Sequence, residues 1–596
     1  MPPKKGGIRQ RLGYDDKSSS TPAADKVIKK MFKRGRISAN EVQQTSDVLS
    51  DLANSSSSSS AQAPVVGGVR DWATAGGGGK YPGNLSRDIM CKMGRDNKGY
   101  PQIYSSPCIF WDQDSNSKIE DDMHYLLIHE LLDYAIGTNL DHYCCVDPST
   151  PLASTKKKWM EDVKCSGSGD DIACGGLWGD SATYHTRDSL NLLLFNVISG
   201  KNHDRFWLCA FSKRSFCKCG CKGVCTWDSV WRTVSWMFDV SLSGRYPEYR
   251  DDMVRFDAST RVGDRARAKW AKEGRRTKLR SGCMQIRGDW AFYKQVLRLC
   301  GWRGEGGTKR CCFKCMADFH GFPFTDVEDD AAWRPTVFTH KMFLALAAET
   351  DGVLSHIFRI AGLRIEYITS DLMHTADLGT VQYLLGCIIW EVLFIDMGGT
   401  ESDPQDVLSQ FGVFIRIATK QIASETKRKE PPINRLTIGM IRKQGSPPKL
   451  KTKAAEGRRM VPVVLWILEN LIPRDTPHQK LRINCILQMK LMYDALEAPV
   501  FDPVAVASHG RKHLKLWIEL GRSSMEASGG MAWVLYRWYP KHHLLLHTLE
   551  DQVLVAGNPR ECWTYQDESE IGDAVASAES LHASSLHKSV IAKKRC

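Results

Sequence analysis

The chain is short of long apolar runs. Its most apolar stretch, Val381–Ile395, is too short to cross a bilayer and carries Gln382 and Glu391. The opening residues MPPKKGGIRQRLG lack the apolar core of a secretory signal. No membrane partner and no secretory route are therefore expected, which leaves the nucleus or the cytosol. In such a compartment the 20 cysteines are expected to be free thiols and metal ligands, not disulfides. Aromatic residues are scarce in residues 1–85, which hold instead the run Ser55–Ser60 and the glycines 76–79. A segment so poor in core-forming side chains is expected to be disordered, apart from a weak helix over Ser38–Leu52.

Acidic residues are outnumbered: 68 Asp and Glu stand against 81 Lys and Arg, a net charge of +13. The excess is concentrated in two places. Lys26–Arg36 is a dense basic cluster of the kind used for nuclear import or nucleic-acid contact, or else a solvated tail. The stretch 245–280 holds Arg265, Arg267, Lys269, Arg275, Arg276, Lys278 and Arg280 among its basic residues. Guanidinium and ammonium groups at this density neutralise phosphates, although interspersed aspartates also fit a salt-bridged solvent face.

Gly176–Ser212 reads as three strands, near 177–184, 190–198 and 205–212, separated by turn-type residues at His185–Asp188 and Gly200–Asp204. Short loops make such strands antiparallel. The middle one is apolar except for Asn191 and Asn196, as a strand buried on both faces should be. Asp180 lies inside the first strand, either facing water at an edge or paired or on a metal, because a bare buried carboxylate is too costly. Cys283–Asp289 predicts a strand that ends at Gly288-Asp289 before a helix over 290–300. Asp289 is then either an N-cap or a ligand at the carboxyl edge of a sheet.

Cysteine spacing suggests two metal sites. Cys217, Cys219, Cys221 and Cys225 fall within nine residues, with glycines that let the backbone wrap one tetrahedral ion; thiolates favour zinc. Cys312, Cys315 and His320 have the spacing of three-quarters of a zinc knuckle, to be completed by Cys311 or by something distant. The alternatives are a flexible loop of reduced thiols at the first and a structural Cys/His cluster at the second. Elsewhere the pattern predicts a core helix over 121–133, a helix over 226–243, and mostly helix from about 337 to 549, broken by a Lys/Pro-rich loop at 421–456. Asp371 and His374 are three residues apart on one helix face. Thr564 with Asp567 reads as a capping box, placing Glu568 in the first turn of a last helix.

The expected divisions are a disordered basic tail (1–85), a helical, cysteine-containing region (86–174), the first part of an α/β core with Cys-rich insertions (175–336), a helical insertion (337–549) and a C-terminal helix completing the core (550–596). A meander with Asp180, a strand ending in Asp289, a long helical region and a late helix with Glu568 match the order of a ribonuclease-H-like core. Its mixed sheet would be interrupted by a large all-helical insertion.

In GLWGDSATYHTRDS, IRGDW with a following Cys-x2-Cys, DLMHTADLG, LKTKAAEGRR, KHHLLLHTLED and WTYQDESEIG, the chain resembles the DDE transposases of CACTA (En/Spm-like) elements and their Plavaka-type relatives, over roughly Gly175–Gly572. The resemblance implies that Asp180, Asp289 and Glu568 hold Mg²⁺ (or Mn²⁺) for phosphodiester cleavage and strand transfer on DNA, and that Asp371 and His374 form the family's [C/D]-x2-H motif. It implies a nuclear protein with no small-molecule cofactor; homo-oligomerisation stays open. Three departures stand out: the CKCGCKGVC insertion has no place in the family pattern, no DNA-binding finger is recognisable near the N-terminus, and the third acid is divided among Asp567, Glu568 and Glu570. A reading of a different class is a non-catalytic, zinc-stabilised nucleic-acid-binding protein on a decayed transposase scaffold.

Overall fold

The computed structural model describes residues 27–28, 31–32, 39–55, 72 and 100–596, apart from 137–140, 201–203, 262, 300–309, 350–353, 427–432, 434, 444, 528–534, 580, 582–585 and 596. Most of the N-terminal tail, and all basic residues of the Lys26–Arg36 cluster, lie outside the described residues. Helix α1 spans Ala39–Ser55, close to the expected position.

The centre is a mixed four-stranded sheet. Strands β3 (Ile172–His185), β4 (Asp188–Val197) and β5 (Arg205–Ser212) form an antiparallel meander, and β6 (Arg280–Gly288) pairs parallel with β3, in the order β5-β4-β3-β6. A single parallel bridge, Ile286 to Ile368, adds the chain after the 340s as a fifth position beside β6, with Thr369 N donating to Ile286 O at 2.9 Å. β4 is buried along nearly its whole length, as its apolar sequence requires. Asp188 pins the end of the meander by accepting from Tyr184 Oη at 2.6 Å and Ser189 N at 2.8 Å.

A hairpin of β1 (Tyr104–Asp112) and β2 (Ser117–Tyr125) precedes α2 (Ile128–Ala135). The expectation of one helix over 121–133 is thus corrected. Met123 and Tyr125 alternate inward with the two-residue period of a strand, and helical spacing starts only at Ile128. Helix α3 (Pro151–Asp162) follows, and α4 (Val224–Ser243) lays Val230, Trp231, Val234, Met237 and Phe238 into the core. Helix α5 (Asp264–Lys272) carries part of the basic run, and α6 (Trp290–Gln295) starts directly after β6.

The second core is helical. It is built from α7 (Met373–Asp396), α8 (Gln405–Thr426), α9 (Ala454–Asn470), α10 (Pro477–Glu497), α11 (Pro503–Ala527) and α12 (Pro540–Glu550). Helix α7 is longer than the apolar run suggests and, by length and composition alone, could cross a membrane. Most of it is buried, and its interior charge is satisfied by protein: Glu391 accepts from Tyr536 Oη at 2.6 Å, sits 2.9 Å from His478 Nε2 and pairs with Arg482 at 3.4 Å. The first eight residues of α7 are wound as π-helix, a form that recurs at functional sites. Finally α13 (Tyr565–Ala578) returns to pack on β3 and β4, and α14 (Leu586–Arg595) packs on β5 and β2. The protein is therefore mixed α/β, with a mixed sheet and many helices.

Candidate active site

The register of β3 against β6 sets the site. Gly179 pairs with Gly288, so Asp180 and Asp289 are the next residues on two hydrogen-bonded parallel strands. Neighbouring strands lie roughly 4.8 Å apart. Gly179 is needed where it is: a Cβ there would stand 2.3 Å from the Phe292 ring, which α6 lays across the strand ends. Asp289 caps α6, its carboxylate accepting from Phe292 N at 2.6 Å, so the capping role and a place at the sheet edge coexist.

The last helix brings the third acid. Glu568, in the first turn of α13, comes within hydrogen-bonding reach of Asp180 and feels the charges of Asp289, Asp371 and His374. Burial, then the charges of Asp289 and Glu568, push the Asp180 carboxyl well above its ordinary range. Burial, assisted by Asp371 and Asp289, likewise raises Glu568, against the opposing pull of His374 and the bond to Asp180. Glu568 Oε1 is buried without a hydrogen-bond partner. Carboxylates gathered against their mutual repulsion, with an acceptor unused, suit a divalent cation, whose hard character calls for such oxygen ligands.

The neighbouring acids face elsewhere. Asp567, fully buried, accepts from Arg205 Nε at 2.8 Å and Asn196 Nδ2 at 3.2 Å and pairs with Arg287 at 3.6 Å. Glu570 accepts from Trp207 Nε1 at 2.5 Å. Of the three candidates, only Glu568 is turned to Asp180. The expected capping box is not formed: Thr564 Oγ1 instead donates to Asp371 at 2.9 Å.

Asp371 is the hub beneath this cluster. Buried ahead of α7, it accepts from Met373 N (3.2 Å), His374 N (3.0 Å), His374 Nδ1 (2.6 Å), Thr564 N (3.0 Å) and Thr564 Oγ1. Burial opposes its ionisation, but these bonds hold its carboxyl below the usual range. Burial likewise opposes the His374 imidazolium, yet the bond and charge of Asp371, with Asp289, hold it above its ordinary value. One helix turn on, Asp377 accepts from the hydroxyls of Tyr493 and, at 2.6 Å, Tyr565, tying α7 and α10 to the start of α13. Lys541 of α12 donates to the His374 carbonyl at 2.8 Å.

A second constellation lies behind α12. The ligand atoms of Cys312, Cys315, His543 and His547, all buried, lie within 4.8 Å of one another and could hold a metal. Cys315 Sγ is 3.2 Å from His543 Nε2 and 3.3 Å from His547 Nε2, and the two imidazole nitrogens are 3.1 Å apart. Lys314 N and Ala317 N donate to the two sulfurs at 3.2 and 3.4 Å, and Asp551 holds His547 Nδ1 at 2.5 Å, an outer-shell carboxylate fixing the tautomer. Against burial, Cys315 and the two histidines hold the Cys312 thiol well down, whereas Cys315 is pushed up by burial and by Cys312. Two thiols and two imidazoles in a closed pocket fit structural zinc. His320, expected as the third ligand, is exposed and packs its ring on Phe319; Cys311 is buried nearby but outside the four. The missed ligands had a signal, because H-x3-H on a helix puts two imidazoles on one face.

Cys217, Cys219, Cys221 and Cys225 converge within 4.8 Å between β5 and α4 and could also bind a metal such as zinc. Cys219 and Cys225 sulfurs are 3.8 Å apart, and Lys118 Nζ lies 3.6 Å from Cys225 Sγ. Despite burial, the Cys225 backbone N–H and the other thiols bring Cys221 down to about 6.

The basic run is split by the fold. Arg267 is buried, bonded to Glu130 (2.7 Å) and Asp264 (3.2 Å), so its expected phosphate contact is corrected to an internal ion pair. Arg280 binds Asp171 through two bonds of 2.7 Å, and Lys278 Nζ donates to Asp133 O at 3.1 Å. Arg275 stacks on Tyr246 and Trp270, Lys269 pairs with Glu273, and Arg265 and Arg276 are exposed. Arg280 opens β6 and Asp289 follows its end, so Arg280 and the acids lie at opposite ends of a nine-residue strand, roughly 26 Å apart.

No protein-family model matches the chain, and neither does any curated protein.

Proposed function

We propose that the protein is a divalent-metal-dependent DNA nuclease and strand transferase of the DDE type, on a ribonuclease-H-like core interrupted by a helical insertion, as in CACTA-type transposases. The carrying observation is the meeting of Asp180, Asp289 and Glu568 from β3, the β6–α6 junction and α13, with two of the three carboxyls raised by burial and mutual charge. The strand order and the late return of α13 support the same reading.

In this reading Asp180, Asp289 and Glu568 would hold Mg²⁺ or Mn²⁺, which would supply polarisation of a water and charge stabilisation at the phosphoryl oxygens. Asp371 fixes the His374 ring and the start of α13, and so sets where Glu568 stands. His374, cationic beside the acids, limits their mutual repulsion. Hydrolysis breaks a P–O3′ bond and leaves a 3′-hydroxyl, the nucleophile for strand transfer. A nuclear location goes with this substrate. The two thiol clusters favour a second reading, a zinc-stabilised DNA-binding protein without catalysis; it leaves the raised carboxyls unexplained. The test is Mg²⁺-dependent nicking of plasmid DNA by the purified protein. Asp180→Ala and Asp289→Ala are expected to abolish it; nicking equal to wild type in both would overturn the assignment.

A further inference from the structure

Arg280 opens the strand that Asp289 follows and is paired with Asp171, so a phosphate at the acids needs cations nearer to them. They are found beside α12. Lys541 Nζ bonds the His374 carbonyl at 2.8 Å, and its charge acts on Asp289 and Asp371. Its stem occupies the space that a Cβ on Gly379 would invade at 2.7 Å, so the glycine of DLG admits it. Lys449 lies close enough to oppose the Lys541 charge. Among the described residues Lys449 makes no ion pair; its Nζ sits 4.9 Å over the Tyr383 ring. Tyr383 stacks on Tyr539 at 4.2 Å and 19°, both half-buried, and exposed Arg537 lies 5.8 Å over Tyr539. Stacked rings interleaved with cations are the means by which proteins hold single strands, since every base has a face to stack and every nucleotide a phosphate.

We infer that Lys541, Lys449, Tyr383, Tyr539 and Arg537 form a strip that takes one strand of DNA, single-stranded beside the cut, into the carboxylate site. This rests on the nuclease reading for the nature of the strand, and its test is kept separate from cleavage. The full chain is titrated with a fluorescein-labelled single-stranded oligodeoxynucleotide, followed by anisotropy in Ca²⁺ across a salt series. Lys449→Gln with Arg537→Gln is expected to weaken binding at least tenfold and to lower the log–log salt slope by about 1.4. Tyr539→Leu is expected to cost roughly 5- to 100-fold. Melting temperatures are recorded for each; the pair Lys449→Gln and Arg537→Gln, half-buried and exposed, carries the test if Tyr539→Leu unfolds. Absence of Mg²⁺-dependent cutting by the wild-type protein, with strip-dependent binding intact, would sink the nuclease reading alone. Wild-type affinity and slope in the folded Lys449→Gln, Arg537→Gln protein would overturn the inference.

Discussion

At the scale of single residues, the acids of this site work against the fold that holds them. Asp180 and Glu568 are both raised, so between their ordinary and folded values the native state binds more protons than the unfolded chain. The stability linked to their neutral forms is therefore full in acid and falls as pH rises through that window. Without divalent ions, Asp180→Asn removes the burden. We expect it to raise the melting temperature by ~2–5 °C at pH 8 and to leave it nearly unchanged at pH 4. Calorimetry at the two pH values in chelator checks this. A variant less stable than wild type at pH 8 would show that Asp180 is a structural partner and not part of a charge-repelled cluster.

At the scale of elements, α12 serves two centres. Its first turn delivers Lys541 beside His374, and its next turns deliver His543 and His547 to the thiols of Cys312 and Cys315. A metal there would lock the helix, and with it one wall of the acidic site, onto the loop after α6. His547→Ala is expected to lose one equivalent of zinc and to melt well below wild type, because it also strands Asp551 and an unpaired buried thiolate. His320→Ala should lose neither. Zinc content by mass spectrometry decides between them, and equal loss in both variants would restore the sequence-based ligand set.

At the scale of the whole molecule, local patterns were legible and long-range meetings were not. The meander was readable because turn residues punctuate it, and Gly288-Asp289 because a strand stops where a helix starts. The stretch at 121–133 misled because its apolar residues satisfy strand and helix spacing in succession. Cys315 and His543 are 228 residues apart, so an exposed neighbour, His320, stood in for the ligands. Arg267 looked like a phosphate contact because its partner Glu130 is 137 residues away. Thr564 looked like a cap because nothing local reveals that Asp371 claims its hydroxyl. The choice among Asp567, Glu568 and Glu570 is likewise a matter of which face of α13 meets β3, and the fold directs only Glu568 to Asp180.

That choice gives the most direct measurement. Single-turnover cleavage of labelled DNA in Mg²⁺ is compared for wild type, Glu568→Gln and Asp567→Asn, each normalised to its folded fraction. The account predicts that Glu568→Gln lowers the rate at least a thousandfold while folding normally. It predicts that Asp567→Asn, which weakens the pairs with Arg205 and Arg287, loses stability but keeps cleavage within about tenfold of wild type. Full activity in Glu568→Gln, or its loss only in Asp567→Asn, would contradict the three-carboxylate site.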